Sequence, residues 1–238
     1  MIPRGLRVAI GHLTVVPVSW QPQDDDAASS SLAWFPVVGL AIGALVAMIL
    51  AMPLPGMLRA ALALILWTSV TGALHEDGWM DSADAALAVV ARERRLEILK
   101  DPHVGAHAVT ALGLVLILRF AALVTTSWSA PIAAAVCGRW TMVITLTRFR
   151  PARSSALGAA FARGARALSA SIIALGIVGS LAMLDGFHVA ASAVVAVAAG
   201  LALAAWLASR FGGLTGDGHG AAGYAAETAA LVVLAVWL

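Results

Sequence analysis

Long apolar runs recur along the chain, separated by short turns and by two longer polar stretches. Seven runs of about 16 to 21 residues are rich in Ala, Val, Leu and Ile, and a transmembrane helix needs about 20 predominantly apolar residues. The pattern therefore predicts an all-α fold: a polytopic integral membrane helix bundle with about seven transmembrane helices. The predicted spans are Phe35–Met52, Met57–Leu74, Ala108–Thr126, Pro131–Thr147, Ser169–Leu184, Val189–Ser209 and Ala221–Leu238.

Composition excludes several other classes of protein. Hydrophobic residues make up 61% of the 238 residues and charged residues 12%, whereas soluble domains carry about 25% charged residues. A water-soluble globular domain is excluded because a single core of this length cannot bury so much apolar surface. A disordered chain is excluded because disorder needs low hydrophobicity and high net charge. The net charge of +2 leaves no broad basic patch for nucleic acid, and the single Cys137 excludes a disulfide framework. We expect one membrane domain over residues 1–238, with membrane lipid around it.

The positions of the basic residues predict the orientation. Short cytoplasmic loops of membrane proteins carry an excess of Lys and Arg. Arginines are concentrated in residues 75–107 and 148–168, and two predicted spans separate these stretches, so both fall on the same side, together with residues 210–220. We expect the N-terminus and these three loops in the cytoplasm, where the loops form one active-site face, and the C-terminus outside.

The densest group of chemically reactive side chains follows the second predicted span. On a helix, Asp77, Asp81 and Asp84 share one face, where three like charges repel each other. A divalent cation would remove that repulsion, and Mg²⁺ prefers hard carboxylate oxygens together with substrate phosphates. His75, just before them, is a candidate metal ligand, base or helix-start cap. The simpler alternative is a solvated acidic face beside the membrane.

Three further features could serve the same site. Asp217 is the only carboxylate in a glycine-rich loop, which is either a close ligand-binding turn or an ordinary connection between spans. Arg119 and Arg139 fall inside apolar runs, where ionisable residues usually face the bundle interior. Lys100 closes a basic stretch that either binds phosphate or sets the topology. Carboxylates for a metal and nearby arginines together favour metal-assisted phosphoryl transfer.

Four motifs, in order along the chain, resemble the cobalamin synthase family. Thr71–Asp84 resembles its T-G-x-L-H-x-D-G-x-x-D-x-x-D signature, Phe35–Leu40 its F-P-x-V-G-L element, Arg92–Asp101 its R-E-R-R-L-E-I-M-K-D run, and Gly213–Ala221 its late G-L-T-G-D-x-x-G-A element. Four elements depart from the family pattern, and one of them is Ala85, where the family often has glycine after the third aspartate. Val15 replaces the arginine of an early L-T-R-x-P element, residues 152–158 keep Arg153 but lose a proline and a glycine, and Tyr224 replaces the first glutamate of an E-x-x-E pair that keeps Glu227.

The resemblance implies a Mg²⁺-dependent transferase of the bacterial cytoplasmic (inner) membrane that acts in cobalamin biosynthesis. It would join α-ribazole, or its 5′-phosphate, to adenosylcobinamide-GDP and release GMP. Asp77, Asp81 and Asp84 would hold Mg²⁺, with Asp217 as a further ligand or positioning group. His75 or a metal-bound carboxylate would take the proton of the ribazole hydroxyl. Candidates for diphosphate contacts are Lys100, Arg139 and Arg153.

Two alternatives stay open on the residues alone. A CDP-alcohol phosphotransferase acting on a lipid alcohol also uses an aspartate-rich metal site, but its D-x-x-D-G-x-x-A-R arrangement is missing, since Asp84 is followed by Ala85 and Ala86. A cation transporter would need carboxylates near the middle of the bilayer, and Glu227 is the one carboxylate predicted within a span.

Overall fold

The computed structural model describes residues 2–18, 27–152 and 166–237. The regular structure in these ranges is helical, with one isolated β-bridge between Pro151 and Leu214. A 3₁₀ turn, Leu32–Trp34, joins the second helix to the third. The helices are α1 (Arg4–Leu13), α2 (Ala28–Ser31), α3 (Phe35–Leu50), α4 (Gly56–Thr71), α5 (Leu74–Leu87), α6 (Arg92–Ile98), α7 (Ala106–Thr125), α8 (Ser129–Arg148), α9 (Ala167–Asp185), α10 (His188–Phe211) and α11 (Gly216–Val236).

The helices confirm the predicted fold class. Six helical stretches among the described residues are long and apolar enough to cross a membrane: Ala28–Leu50 and the helices α7, α8, α9, α10 and α11. If the bent pair of α4 and α5 counts as one span, the total is seven. The chain is thus a multi-pass membrane protein with the predicted number of apolar helices.

The second predicted span, Met57–Leu74, ends earlier than expected because the backbone breaks after Thr71. Gly72 and Ala73 both adopt the left-handed conformation, with φ of 64° and 56°, and α5 then leaves at 86° to α4. A residue with a Cβ rarely adopts this conformation, so Ala73 is held there by its surroundings. The break leaves α4 only 16 residues long, and the polar residues of the bent pair are concentrated on α5.

The two ends of the bundle differ in character. At the end that carries α5, named here the α5 end, Arg210 of α10 donates to the Ala86 carbonyl, and Ala152 after α8 bonds to Leu214 before α11. At the other end, named the Asp185 end, the hydroxyls of Ser127 and Ser129 donate to Asp185. Both arginine-rich stretches therefore begin at the same end, as predicted.

Helices α8 and α11 form the centre of the bundle. Helix α8 packs against α3, α9, α10 and α11, and α11 packs also against α5 and α7. The contact between α3 and α8 needs glycine, because a Cβ at Gly43 would lie 2.4 Å from the Ile132 Cα. Such close packing of small residues is how membrane helices gain dispersion energy without a hydrophobic effect between them.

Candidate active site

The acidic helix α5 carries its three aspartates on a face that is not fully buried. Asp77 is exposed, and Asp81 and Asp84 are half-buried on the same helical face. The break at Gly72 and Ala73 sets this orientation, because it turns α5 sideways across the α5 end. The predicted alignment of the three aspartates on one helix face is present in the structure.

Asp217 comes to this helix from the start of α11. The predicted last span, Ala221–Leu238, is wrong at its start: the helix begins at Gly216, because the Thr215 hydroxyl caps it by accepting the Gly218 N–H at 3.1 Å. Asp217 therefore lies in the first helical turn, where the helix dipole stabilises a negatively charged carboxylate. A Cβ at Gly78 would lie 2.8 Å from the Asp217 carbonyl oxygen, so α5 and α11 touch backbone to backbone here.

The four carboxylates act on one another electrostatically. Partial burial first, and then the nearby charges of Asp77, Asp217 and Asp84, raise the pKa of Asp81 to about 6. Like charges that crowd a carboxylate disfavour its ionised form. Asp217, the aspartate most distant in sequence, thus belongs to the same cluster, which we name the acidic cluster: Asp77, Asp81, Asp84 and Asp217.

Asp84 has a structural task as well. One of its carboxylate oxygens accepts the Gly105 N–H at 2.6 Å and the other accepts the Ala108 N–H at 2.8 Å. These donors belong to the free amino end of α7, whose first N–H groups have no partner within the helix. Asp84 therefore ties α5 to α7, and both of its carboxylate oxygens are engaged.

The cluster is not gathered into a closed metal cage. Within the described residues, no three His, Cys, Asp or Glu side chains converge tightly enough to hold a metal ion on their own. The donor set nevertheless suits a hard cation, because it offers carboxylate oxygens and Mg²⁺ is usually bound by one or two carboxylates, waters and substrate phosphates. A cation there would also remove the repulsion that raises the pKa of Asp81.

Arginine side chains fasten the helices around the cluster. Arg92 of α6 donates to the Phe211 carbonyl at 2.6 Å, and Arg210 of α10 donates twice to the Ala86 carbonyl, at 3.0 and 2.9 Å. Both carbonyls lie at helix ends, where they lack a partner within the helix. Arg92 thus caps the C-terminus of α10 from 119 positions away, a role that carries no local sequence signal.

Beneath α5, two arginines share one glutamate inside the bundle. Arg119 donates to one Glu227 carboxylate oxygen at 3.0 Å, and Arg139 contacts the other. All three side chains are buried. The Arg119 guanidinium also lies over the rings of Trp67 and Tyr224, at 4.6 and 4.4 Å from their centroids. Glu227, the carboxylate that a cation transporter would need within a span, is thus already ion-paired with these two arginines.

His75 lies on the buried side of α5 and not with the aspartates. It is two positions from Asp77, about 200° around the helix, and it is 2% exposed. Its neighbour Glu76, which the sequence analysis did not single out, is buried too and accepts a hydrogen bond from Thr68 at 2.9 Å. The structure therefore separates His75 from the acidic cluster.

The predicted phosphate-binding residues occupy different places. Lys100 is exposed just after α6, at the α5 end. Arg139 is buried against Glu227 in the bundle interior. Arg153 lies outside the described residues, so its role stays a prediction.

Comparisons with known proteins identify the family. The profile of the family described as cobalamin-5-phosphate synthase (CobS) matches residues 5–235. A Deinococcus radiodurans protein named adenosylcobinamide-GDP ribazoletransferase is 38% identical over 225 residues, covering 91% of this chain and 80% of that protein. Proteins of the same name from Desulforamulus reducens and Pseudomonas entomophila are 35% and 40% identical, covering 94% and 87% of this chain and 92% and 87% of their own length. No solved structure matches the fold. The chain belongs to the cobalamin-5-phosphate synthase family and is, like these relatives, a transferase of cobalamin biosynthesis.

Proposed function

We propose that the protein joins α-ribazole, or its 5′-phosphate, to adenosylcobinamide-GDP with release of GMP, in a reaction that depends on Mg²⁺. The observation that carries the proposal is the acidic cluster, four aspartates from two helices, in a chain of this family. The name of the relatives, adenosylcobinamide-GDP ribazoletransferase, supplies the GDP-activated corrinoid and the ribazole group. This support favours ribazole transfer over the CDP-alcohol reaction.

Asp77 and Asp81 would hold the cation, with Asp217 as a further ligand or positioning group. Asp84 contributes less, because both of its oxygens already accept backbone N–H groups. When bound, Mg²⁺ would offset the negative charge of the diphosphate oxygens. The remaining ligands would be substrate oxygens and water, as is usual for this ion.

The chemical step is a substitution at phosphorus. A hydroxyl oxygen of ribazole forms a bond to the corrinoid-linked phosphorus, the bond from that phosphorus to the bridging oxygen breaks, and GMP leaves with the electron pair. The hydroxyl proton passes to a carboxylate of the acidic cluster, because His75 lies on the buried side of the same helix. Lys100 and Arg153 are proposed diphosphate contacts. Arg139 is buried in the bundle interior, so it would act by positioning the helices that carry the site.

We place the α5 end in the cytoplasm, at the inner membrane, as a single domain whose three loops at that end form the active-site face. The support is the excess of Arg and Lys at this end. The seven apolar helices then put the C-terminus on the other side. A cytoplasmic face also gives the site direct access to nucleotide-activated substrates.

A donor-exchange assay tests the function. Purified full chain with Mg²⁺ and adenosylcobinamide-GDP should release GMP only when α-ribazole or its 5′-phosphate is added, with a cobalamin product in equal amount. A parallel reaction with CDP-diacylglycerol and a lipid alcohol should release no CMP. CMP release without any GMP release would overturn the proposal and favour the lipid reaction.

A further inference from the structure

A long groove runs between α9 and α10, with α8 as its floor. Its deeper part is a cavity of about 540 Å³ lined by apolar residues, and the part toward the α5 end is a cavity of about 790 Å³. Leu201 lines both cavities, so they adjoin along α10, and together they are called the groove here. From Ala190 to Ala205 the groove follows α10 for about 22 Å at 1.5 Å per residue.

The groove is polar at one end only. In its deeper part, Trp140 is the one lining residue with a polar side-chain atom, and its indole N–H is already bonded to Ser171 at 2.9 Å. At the α5 end, the lining includes Thr147 and the exposed Arg148. No Asp or Glu is found among the described residues that line either part.

Two more arginines flank the opening of the groove at the α5 end, which is called its mouth here. Arg150 follows the lining residue Phe149, and Arg166 precedes the lining residue Ala167; both side chains are exposed. Arg148, Arg150 and Arg166 thus bring three positive charges to the point where an apolar groove reaches the membrane surface. A surface of this kind attracts anionic lipid. Each basic residue near the membrane surface raises the affinity for anionic lipid by about fivefold.

We infer that this groove is a binding site for an anionic phospholipid, with one acyl chain between α9 and α10 and the headgroup phosphate at Arg148. An acyl chain fits the apolar, narrow and elongated part, and a phosphate fits the arginines at its mouth. A zwitterionic lipid offers the same chain but no net negative charge, so it binds more weakly. The site is separate from the acidic cluster and does not depend on the transfer reaction.

Native mass spectrometry of the full chain, purified in mild detergent with equal phosphatidylglycerol and phosphatidylcholine, tests the inference. Ala198→Trp fills the groove, and because Ala198 lines it and is exposed, the substitution leaves the core alone. Val195→Trp is the matched control, exposed on the same helix but outside the groove lining. Arg148→Gln removes the headgroup contact, and Arg94→Gln removes an exposed charge at the same end outside the groove.

The wild type and both controls should retain phosphatidylglycerol severalfold more than phosphatidylcholine. Ala198→Trp should lose bound lipid, and Arg148→Gln should lose about fivefold in preference for phosphatidylglycerol. Equal retention of the two lipids by the wild type would overturn the inference. So would full retention in both groove variants, or a dimer that carries no lipid.

Discussion

The buried Glu227 of α11 pairs with two arginines that come from other helices, Arg119 and Arg139. Glu227→Gln would leave Arg119 and Arg139 in the interior without their anion, and removing one partner of a buried ion pair costs about 3–5 kcal/mol. We expect a large fall in the unfolding midpoint in detergent. Glu97→Gln, which breaks an exposed pair with Arg94, should change it little. Equal stability of the two variants would contradict the structural role of Glu227.

Two aspartates of the acidic cluster should respond differently to the same substitution. Asp84→Asn leaves one acceptor oxygen for two N–H groups, and loss of a helix cap costs about 0.5–2 kcal/mol. Asp81→Asn instead relieves repulsion from its neighbours. In metal-free detergent solution, thermal unfolding should show Asp84→Asn less stable than the wild type and Asp81→Asn at least as stable. The opposite order would contradict the capping role.

At the scale of helices, the contact between α5 and α11 holds Asp217 beside the other aspartates. Gly78→Ala would place a Cβ 2.8 Å from the Asp217 carbonyl oxygen and push the helices apart. Misplacement of this kind can cost roughly 10–100-fold in rate. Gly113→Ala is the control, because a Cβ at Gly113 meets nothing within 4 Å. Ribazole transfer should fall in Gly78→Ala alone, although alanine favours a helix at both positions.

The sequence predicted the helices better than their ends. Apolar composition fixed the number of spans, because every bilayer crossing needs a similar length of apolar chain. It did not predict the break at Gly72 and Ala73, since alanine seldom adopts a positive φ. The start of α11 was readable in principle from the Thr215 cap, but the glycines that follow resemble a loop.

The site was predicted in part. The helix period placed Asp77, Asp81 and Asp84 on one face, and the family resemblance implied Asp217 as a further member, which the structure brings near Asp81. His75 was expected to serve the same site, but it is buried and lies about 200° around the helix from Asp77. The partner of Arg119 lies 108 positions away, so only the packed bundle reveals it.

At the scale of the whole molecule, the orientation in the membrane can be tested with single cysteines. Cys137 is buried, so an introduced cysteine should be the only reactive one. Val104 at the α5 end and Phe187 at the Asp185 end are both exposed. An impermeant maleimide should label Phe187→Cys in intact spheroplasts and Val104→Cys only after the membrane is opened. Labelling of Val104→Cys in intact spheroplasts would contradict a cytoplasmic α5 end.

Metal binding at the acidic cluster is tested most directly by electron paramagnetic resonance of Mn²⁺, a substitute for Mg²⁺, with adenosylcobinamide-GDP present and ribazole omitted. The wild type should bind Mn²⁺ and release it to Mg²⁺, and Asp81→Asn should bind at least about tenfold more weakly, since it loses a charged ligand oxygen. Asp101→Asn, an exposed carboxylate paired with His103, should bind like the wild type. Equal Mn²⁺ affinity in Asp81→Asn and the wild type would contradict a metal site on α5.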